Sequence, residues 1–216
     1  MSVSFQAATA GAVRSAGELK LYREAARELL RETLLDAARD ELGRRSWGEV
    51  TMGDIAGTAG VSRQTLYKEF GSREEFARAL VMREGDRFLV AVEGALRERL
   101  DDPRAALAAA FDVFLTAAGE DPLVRSIVFD GAQNGLLPLV TTEGEAIVGR
   151  AAERLAGTMV AGWPMLERDA ADRLAQCLVR LAISYATLPA GPAGPTAASV
   201  STLLAPYLED VLADAD

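Results

Sequence analysis

Arg63, Gln64, Thr65, Tyr67 and Lys68 follow one another in a short run after Val61-Ser62. Arginine and glutamine have the hydrogen-bonding geometry to read base edges, and a threonine methyl can meet the methyl of thymine. Tyrosine and lysine suit phosphate oxygens. Thr51 and Ser62 stand where short helices should begin, and the free backbone N–H groups of a helix start also suit a phosphate. A blander reading of the same residues is an ordinary helical hairpin with a solvated polar face. Other chemistry is thinly provided. Histidine is absent and cysteine occurs once, at Cys177. That removes a His/Cys metal cluster, a His-based triad, a disulfide framework and a dithiol redox centre within the chain. Cys177 lies in an Ala/Leu-rich stretch and reads as a small buried apolar group. Carboxylate pairs such as Glu143/Glu145 and Asp169/Asp172 could do acid–base work, but abundant acids at such spacing are usually solvated helix surface. Without histidine or a Gly-rich phosphate loop, the expectation is a protein that is not an enzyme and holds no metal or cofactor.

These side chains need helices to hold them. The chain has 216 residues, 50% apolar and 25% charged, which can fill a core and suits one domain or a large one with a small one. Strand-type alternation is missing, and apolar residues recur at three- and four-residue spacing, so the expected fold class is all-α with about nine helices. A first helix is expected from about Glu24 to Arg44, with Ala26, Leu30, Leu34, Ala37, Ala38 and Leu42 along one side and Leu29 widening the stripe. Residues 1–20 read as a flexible Ala/Ser/Gly arm without the features of an export signal. Two very short helices follow, capped by Thr51 and Ser62 and parted at Gly60-Val61. Being too short to stand alone, they must pack on the first helix. Residues 21–73 thus form a three-helix head containing a helix-turn-helix, with Ile55, Ala56, Val61 and Leu66 in its core.

Ser72 and Glu75 are placed for a capping box that opens a long helix to about Leu100. Asp102-Pro103 and Asp121-Pro122 start two more. Helices from Thr142 to about Met159, Leu166 to Leu188 and Ala198 to Leu212 complete a body over 74–216, with a Pro/Gly loop at Pro189–Pro195. The net charge of −9 falls almost wholly on that body, while residues 1–73 are near balance. Global acidity therefore does not exclude a small DNA-reading head.

The stretch from Arg31 to Phe76 resembles the N-terminal DNA-binding domain of the tetracycline-repressor (TetR) family of bacterial regulators. Trp47, Val50 and Thr51, then Asp54-Ile55-Ala56, Ala59-Gly60-Val61-Ser62, Leu66-Tyr67 with Phe70, and Gly71-Ser72-Arg73-Glu74 fall in the family's order and spacing. The resemblance implies that Thr51, Tyr67 and Arg73 anchor phosphates and that Arg63, Gln64 and Thr65 meet the bases of a double-stranded operator. Two residues depart from the pattern. Gly57 replaces a larger helical residue, and Glu69 puts an acid near DNA, where it either points aside or accepts from a cytosine amine.

The resemblance further implies a helical body that binds a small ligand and dimerises through the last two helices of each subunit. Leu174, Leu178, Leu181 and Tyr185 keep the seam spacing of packed bundles, and Leu203, Leu204 and Tyr207 stripe the final helix. The same side chains could instead bury in their own subunit's core. A pocket between the middle helices would draw on Phe88, Phe111, Phe114, Phe129, Met159 and Trp163, with Gln133, Asn134 and Tyr185 as polar handles. Scarce charge there suits an apolar or weakly polar effector. The expected function is a homodimeric repressor, released from an inverted-repeat operator when ligand shifts the helix that Gly71 joins to the recognition helix. A DNA-binding protein whose body takes a protein partner and no small ligand is one alternative, and a transcriptional activator is another. No apolar run reaches the roughly 18 residues that suggest a membrane span, and the expected compartment is the cytoplasm.

Overall fold

The computed structural model describes residues 3–129, 136–142, 144–187 and 197–213. Among these it has ten helices and no strand: α1 (Val3–Leu42), α2 (Met52–Thr58), α3 (Arg63–Phe70), α4 (Arg73–Arg97), α5 (Pro103–Glu120), α6 (Pro122–Phe129), α7 (Leu137–Val140), α8 (Glu145–Gly162), α9 (Arg168–Thr187) and α10 (Ala197–Ala213). The helix beyond the expected nine is the single turn α7, opened by Pro138. Helix α1 starts at Val3 rather than near Glu24, so the segment read as an arm is helical from that residue on. Its alanines favour a helix, and no proline interrupts it. Residues 19–29 of α1 stand in solvent, with Leu29 70% exposed, so the apolar stripe begins to pack only at Leu30.

The head core joins Leu34, Leu35, Ala38 and Leu42 of α1 to Trp47, Val50, Ile55, Ala56, Leu66 and Phe70. Phe76 and Leu80 of α4 belong to the same cluster, and so do Leu123 and Ile127 of α6 and Leu136 beyond it. Phe76 lies between Trp47 and Phe70, with ring centroids 6.4 and 4.6 Å away. The head is therefore closed from above by pieces of the body. Gly60 and Gly71 have φ of 71° and 81°, a left-handed backbone that L side chains rarely adopt, and they make the joints α2–α3 and α3–α4 sharp.

The body core gathers Val92 and Leu96 of α4, Leu107 and Phe111 of α5, Leu155, Ala156 and Met159 of α8, Leu174 and Leu178 of α9, and Val200 and Leu208 of α10. Trp163 is buried at the end of α8, and its indole Nε1 donates to the Leu100 carbonyl at 2.8 Å, tying α8 to the α4–α5 turn. The seam positions of α9 turn inward. Leu174 and Leu178 are buried in their own subunit, Leu181 is half-buried there, and Tyr185 packs edge-on against Phe111. Leu174 and Leu178 are thus spent on the monomer's core, while Leu181 and Tyr185 keep part of their surface exposed. Leu203 (71% exposed) and Tyr207 are the outward members of the expected interface set, while Leu204 packs against the core. Cys177 is exposed on α9, contrary to its reading as a buried group. Leu188 and the Pro189–Pro195 loop lie outside the described residues. No helix among the described residues is long and apolar enough to cross a membrane.

Candidate nucleic-acid interface and the cavity behind it

Thr51 caps α2 through a capping box with Asp54. The Thr51 hydroxyl accepts from the Asp54 N–H at 3.2 Å and donates to the Asp54 carboxylate at 2.6 Å, which also accepts the Thr51 N–H at 2.8 Å. Those hydrogen bonds, with Arg45 at 3.5 Å, hold the Asp54 carboxyl below its usual range. Thr51 is exposed, with its hydroxyl proton already directed at Asp54. Ser62 caps α3 by accepting from the Thr65 N–H at 3.0 Å, and the two hydroxyls lie 2.8 Å apart. The box expected at Ser72 is half formed: Ser72 accepts from the Glu75 N–H at 3.0 Å, and Glu75 turns to Arg78.

Anchored at both ends, α3 buries Leu66 and Phe70 and shows Arg63, Gln64 and Lys68 to solvent. Tyr67 and Thr65 are half-buried on its flanks. The Arg63 guanidinium lies 5.3 Å from the Tyr67 ring centroid and donates to the Tyr67 hydroxyl at 3.4 Å. Arg63, Gln64, Tyr67 and Lys68 occupy adjacent positions on successive turns, so one face carries two groups suited to base edges and two suited to phosphate. Glu69 is turned away from that face. Arg27 of α1 donates to its carboxylate at 2.6 Å, and Arg31 donates to its backbone carbonyl at 2.9 Å while lying over the Phe70 ring. Of the two possibilities the sequence left for Glu69, the structure takes the sideways one.

Arg73 is placed differently from its expected role. Its guanidinium donates to the Val50 carbonyl at 2.6 Å and the Trp47 carbonyl at 2.5 Å, and lies 4.3 Å from the Trp47 ring centroid. Burial lowers its pKa from the ordinary arginine value. It braces the α1–α2 loop against α4. Arg45 is likewise committed, to Glu41 and Asp54, and Arg44 lies 3.4 Å from Glu41. Glu41 is buried beneath the loop, and the Thr58 hydroxyl, donating to it at 2.7 Å, together with Arg45 holds its carboxyl below the usual range.

Behind the head lies a cavity of about 540 Å³, walled by α4 to α9, with Arg39 of α1 among its lining. Phe88 and Phe114 line it as expected, edge to face with centroids 5.5 Å apart. Phe111, Met159, Trp163 and Tyr185 do not: the first three are buried in the body core, and Tyr185 packs on Phe111. The Phe129 side chain, Gln133 and Asn134 lie outside what is described. Most of the wall is aliphatic, including Val81, Leu89, Leu123, Ile127, Ile147, Val179 and Ile183.

The wall also holds charges that aromatic counting missed: Arg39, Glu84, Asp86, Arg87, Asp121 and Arg150. Arg39 pairs with Glu84 and, at 2.6 Å, with Asp121, while Arg150 grips Asp86 through two hydrogen bonds of 2.9 and 2.8 Å. Glu84 is 5% exposed and is also met by Arg83 and Arg87. The signal for it was present in the sequence. An acid one turn after Leu80 and one turn before Phe88 sits in an apolar stripe, and a charge buried there needs partners.

Comparison with known proteins agrees with this architecture. Residues 34–80 match the profile described as "Bacterial regulatory proteins, tetR family", and residues 102–206 match "Bacterial Tetracyclin repressor, C-terminal domain". The HTH-type transcriptional regulator AlkX of Mycobacterium tuberculosis is 37% identical over 188 residues, covering 87% of this chain and 89% of that protein. The HTH-type transcriptional activator FasR of Mycolicibacterium smegmatis is 32% identical over 120 residues, covering 56% of this chain and 54% of that one. The crystal structure of the TetR family repressor AlkX from Dietzia sp., implicated in biodegradation of n-alkanes, superposes with a TM-score of 0.73 at 34% identity, covering 84% of this chain and 96% of that one. A head that presents α3, a cavity closed against it and these likenesses lead to one conclusion: the chain belongs to the TetR family of bacterial transcriptional regulators, proteins that bind DNA through a helix-turn-helix.

Proposed function

We propose that this chain is a homodimeric, ligand-responsive repressor that leaves an inverted-repeat operator when an apolar or weakly polar small molecule fills the body cavity. It acts in the cytoplasm, by binding and not by catalysis. Arg63, Gln64 and Thr65 read bases, Tyr67 and Lys68 hold phosphates, and the N-termini of α2 and α3, at Thr51 and Ser62, add backbone donors. The observation that carries the reading is the 540 Å³ cavity, largely aliphatic, directly behind the recognition head. A sealed core would have favoured a protein partner. A hydrocarbon-like effector is in keeping with the Dietzia relative's link to n-alkane biodegradation. The likeness to FasR supports activation as the second reading, since the sign of regulation depends on operator position and not on the head. The test is fluorescence anisotropy with DNA from upstream of the chain's own gene and a scrambled duplex, both at one salt concentration. Preference for the upstream DNA by roughly a thousandfold or more is expected. Equal binding to both overturns the reading.

A further inference from the structure

Arg27 and Arg31 of α1 both fasten to the end of α3, Arg27 to the Glu69 carboxylate at 2.6 Å and Arg31 to the Glu69 carbonyl at 2.9 Å. Those contacts fix which side of α1 faces α3. Arg23 and Lys20 lie four and seven residues before Arg27, hence on that same side, one and two turns further out. Helix α1 begins at Val3, so roughly 35 Å of it runs on beyond Arg27. The head is short of free cations. Among the described side chains before residue 74, Arg27, Arg31, Arg39, Arg44, Arg45 and Arg73 each have a carboxylate or carbonyl partner in the chain. That leaves Arg63 and Lys68 on α3, where Arg63 meets the Tyr67 side chain, and Lys20 and Arg23 on α1. Arg23 is exposed and has no ion pair among the described residues. Lys20 has Glu24 at 3.8 Å, with side chains 79% and 60% exposed, a pair that solvent holds weak. Two free cations on α3 are few for a chain of net charge −9 to hold a polyanion.

We propose that Lys20 and Arg23 form a second DNA contact, outside the helix-turn-helix, on the phosphate strand that passes the C-terminal end of α3. This rests on the operator-binding reading above and adds to it a site that supplies affinity without reading sequence. In helix-turn-helix docking the recognition helix lies in the major groove, and beyond its end runs the phosphate backbone that bounds the groove. Helix α1 leaves the head at that end, with its two free cations on the side toward α3. Glu69, the one acid of α3, stands at the same end, and Arg27 neutralises it, so no bare carboxylate meets the strand. Because the segment is helical from Val3 on, Lys20 and Arg23 are held in line before DNA arrives, which reduces the ordering cost of contact.

The experiment uses the full chain, with anisotropy on DNA from upstream of its own gene and on a scrambled duplex, across a potassium chloride series. Four free cations in each subunit of a dimer give a slope of log K on log salt of roughly −7. Replacing both residues, Lys20→Gln with Arg23→Gln, should bring the slope to about −4. The same variant should weaken both duplexes alike, by roughly tenfold or more, because phosphate contacts position without specifying. Arg23→Gln alone should flatten the slope by about 2. Arg99→Gln removes the same charge from an exposed site in the α4–α5 turn and should leave slope and affinity unchanged. All three side chains are exposed, so melting temperatures should stay at the wild-type value. A double variant with wild-type slope and affinity overturns the second contact and leaves operator binding by α3 standing. An equal loss in Arg99→Gln also overturns it, by assigning the effect to net charge. Equal binding of both duplexes by the wild type overturns the operator reading on which the contact rests.

Discussion

Two arginines ten positions apart carry opposite roles although both look suited to DNA in the sequence. Arg63 is exposed on α3 beside Gln64 and Lys68, whereas Arg73 is spent on the Val50 and Trp47 carbonyls. Arg63→Ala should narrow the ratio of operator to scrambled-DNA binding, with a loss of about 1–3 kcal/mol on operator and an unchanged melting temperature. Arg73→Ala should instead lower the melting temperature, because two buried carbonyls lose a charged donor at about 1–3 kcal/mol. Thermal melts and duplex titrations on both variants separate the cases. An unchanged melting temperature for Arg73→Ala would return that residue to phosphate duty. The types and order of the α3 residues were legible in the sequence. What arginine 73 touches was not, because a guanidinium that braces two carbonyls and one that grips a phosphate are the same letter, and only the path of the α1–α2 loop decides between them.

Among the elements, those whose boundaries are set by local chemistry were read closely. Asp102-Pro103 and Asp121-Pro122 open α5 and α6 as the sequence predicts, and Ser62 opens α3. What the spacing left open depends on neighbours far along the chain. Helix α9 has the spacing of an intersubunit seam, yet Leu174 and Leu178 lie in the monomer's core, since periodicity reports that a stripe is buried but not against what. If the subunits pair through α9 and α10, the outward groups include Leu203, Pro206 and Tyr207 of α10 and Gln176, Cys177 and Arg180 of α9, with Arg173 of α9 donating to the Tyr207 hydroxyl at 3.2 Å. Leu203→Glu is accordingly expected to shift the sedimentation-equilibrium mass from twice 22.9 kDa toward 22.9 kDa with little change in helicity. Leu178→Glu should unfold the body, by burying an unpaired carboxylate. A Leu203→Glu protein that stays dimeric at micromolar concentration would rule this face out.

For the molecule as a whole, acid should be the sensitive direction. Glu41 in the head and Asp86 at the cavity are held below the ordinary carboxylate range, the first by the Thr58 hydroxyl and Arg45, the second by Arg150 and Arg154. Lowered folded-state values mean that their contribution is complete above the unfolded pKa of about 4 and is lost as pH falls through the lowered value. Melting temperature should hold from neutral pH to about 5 and then drop steeply toward pH 3. Glu41→Gln should start lower at neutral pH and lose less on acidification, and an equal acid loss in that variant would clear Glu41 of the effect. Another whole-molecule property follows from the shared core. Leu123, Ile127 and Leu136 close the head cluster from beyond α5, alongside Phe76 and Leu80. Reader and body are therefore not interchangeable parts. A chimera that keeps residues 1–73 and takes the rest from another regulator would inherit a head with its roof missing, and grafting would work only if the α6 residues of the roof travelled with it. Diversification of binding specificity in such a chain has to proceed by changing side chains on the exposed face of α3, because shuffling the segment as a module breaks the packing on which it stands.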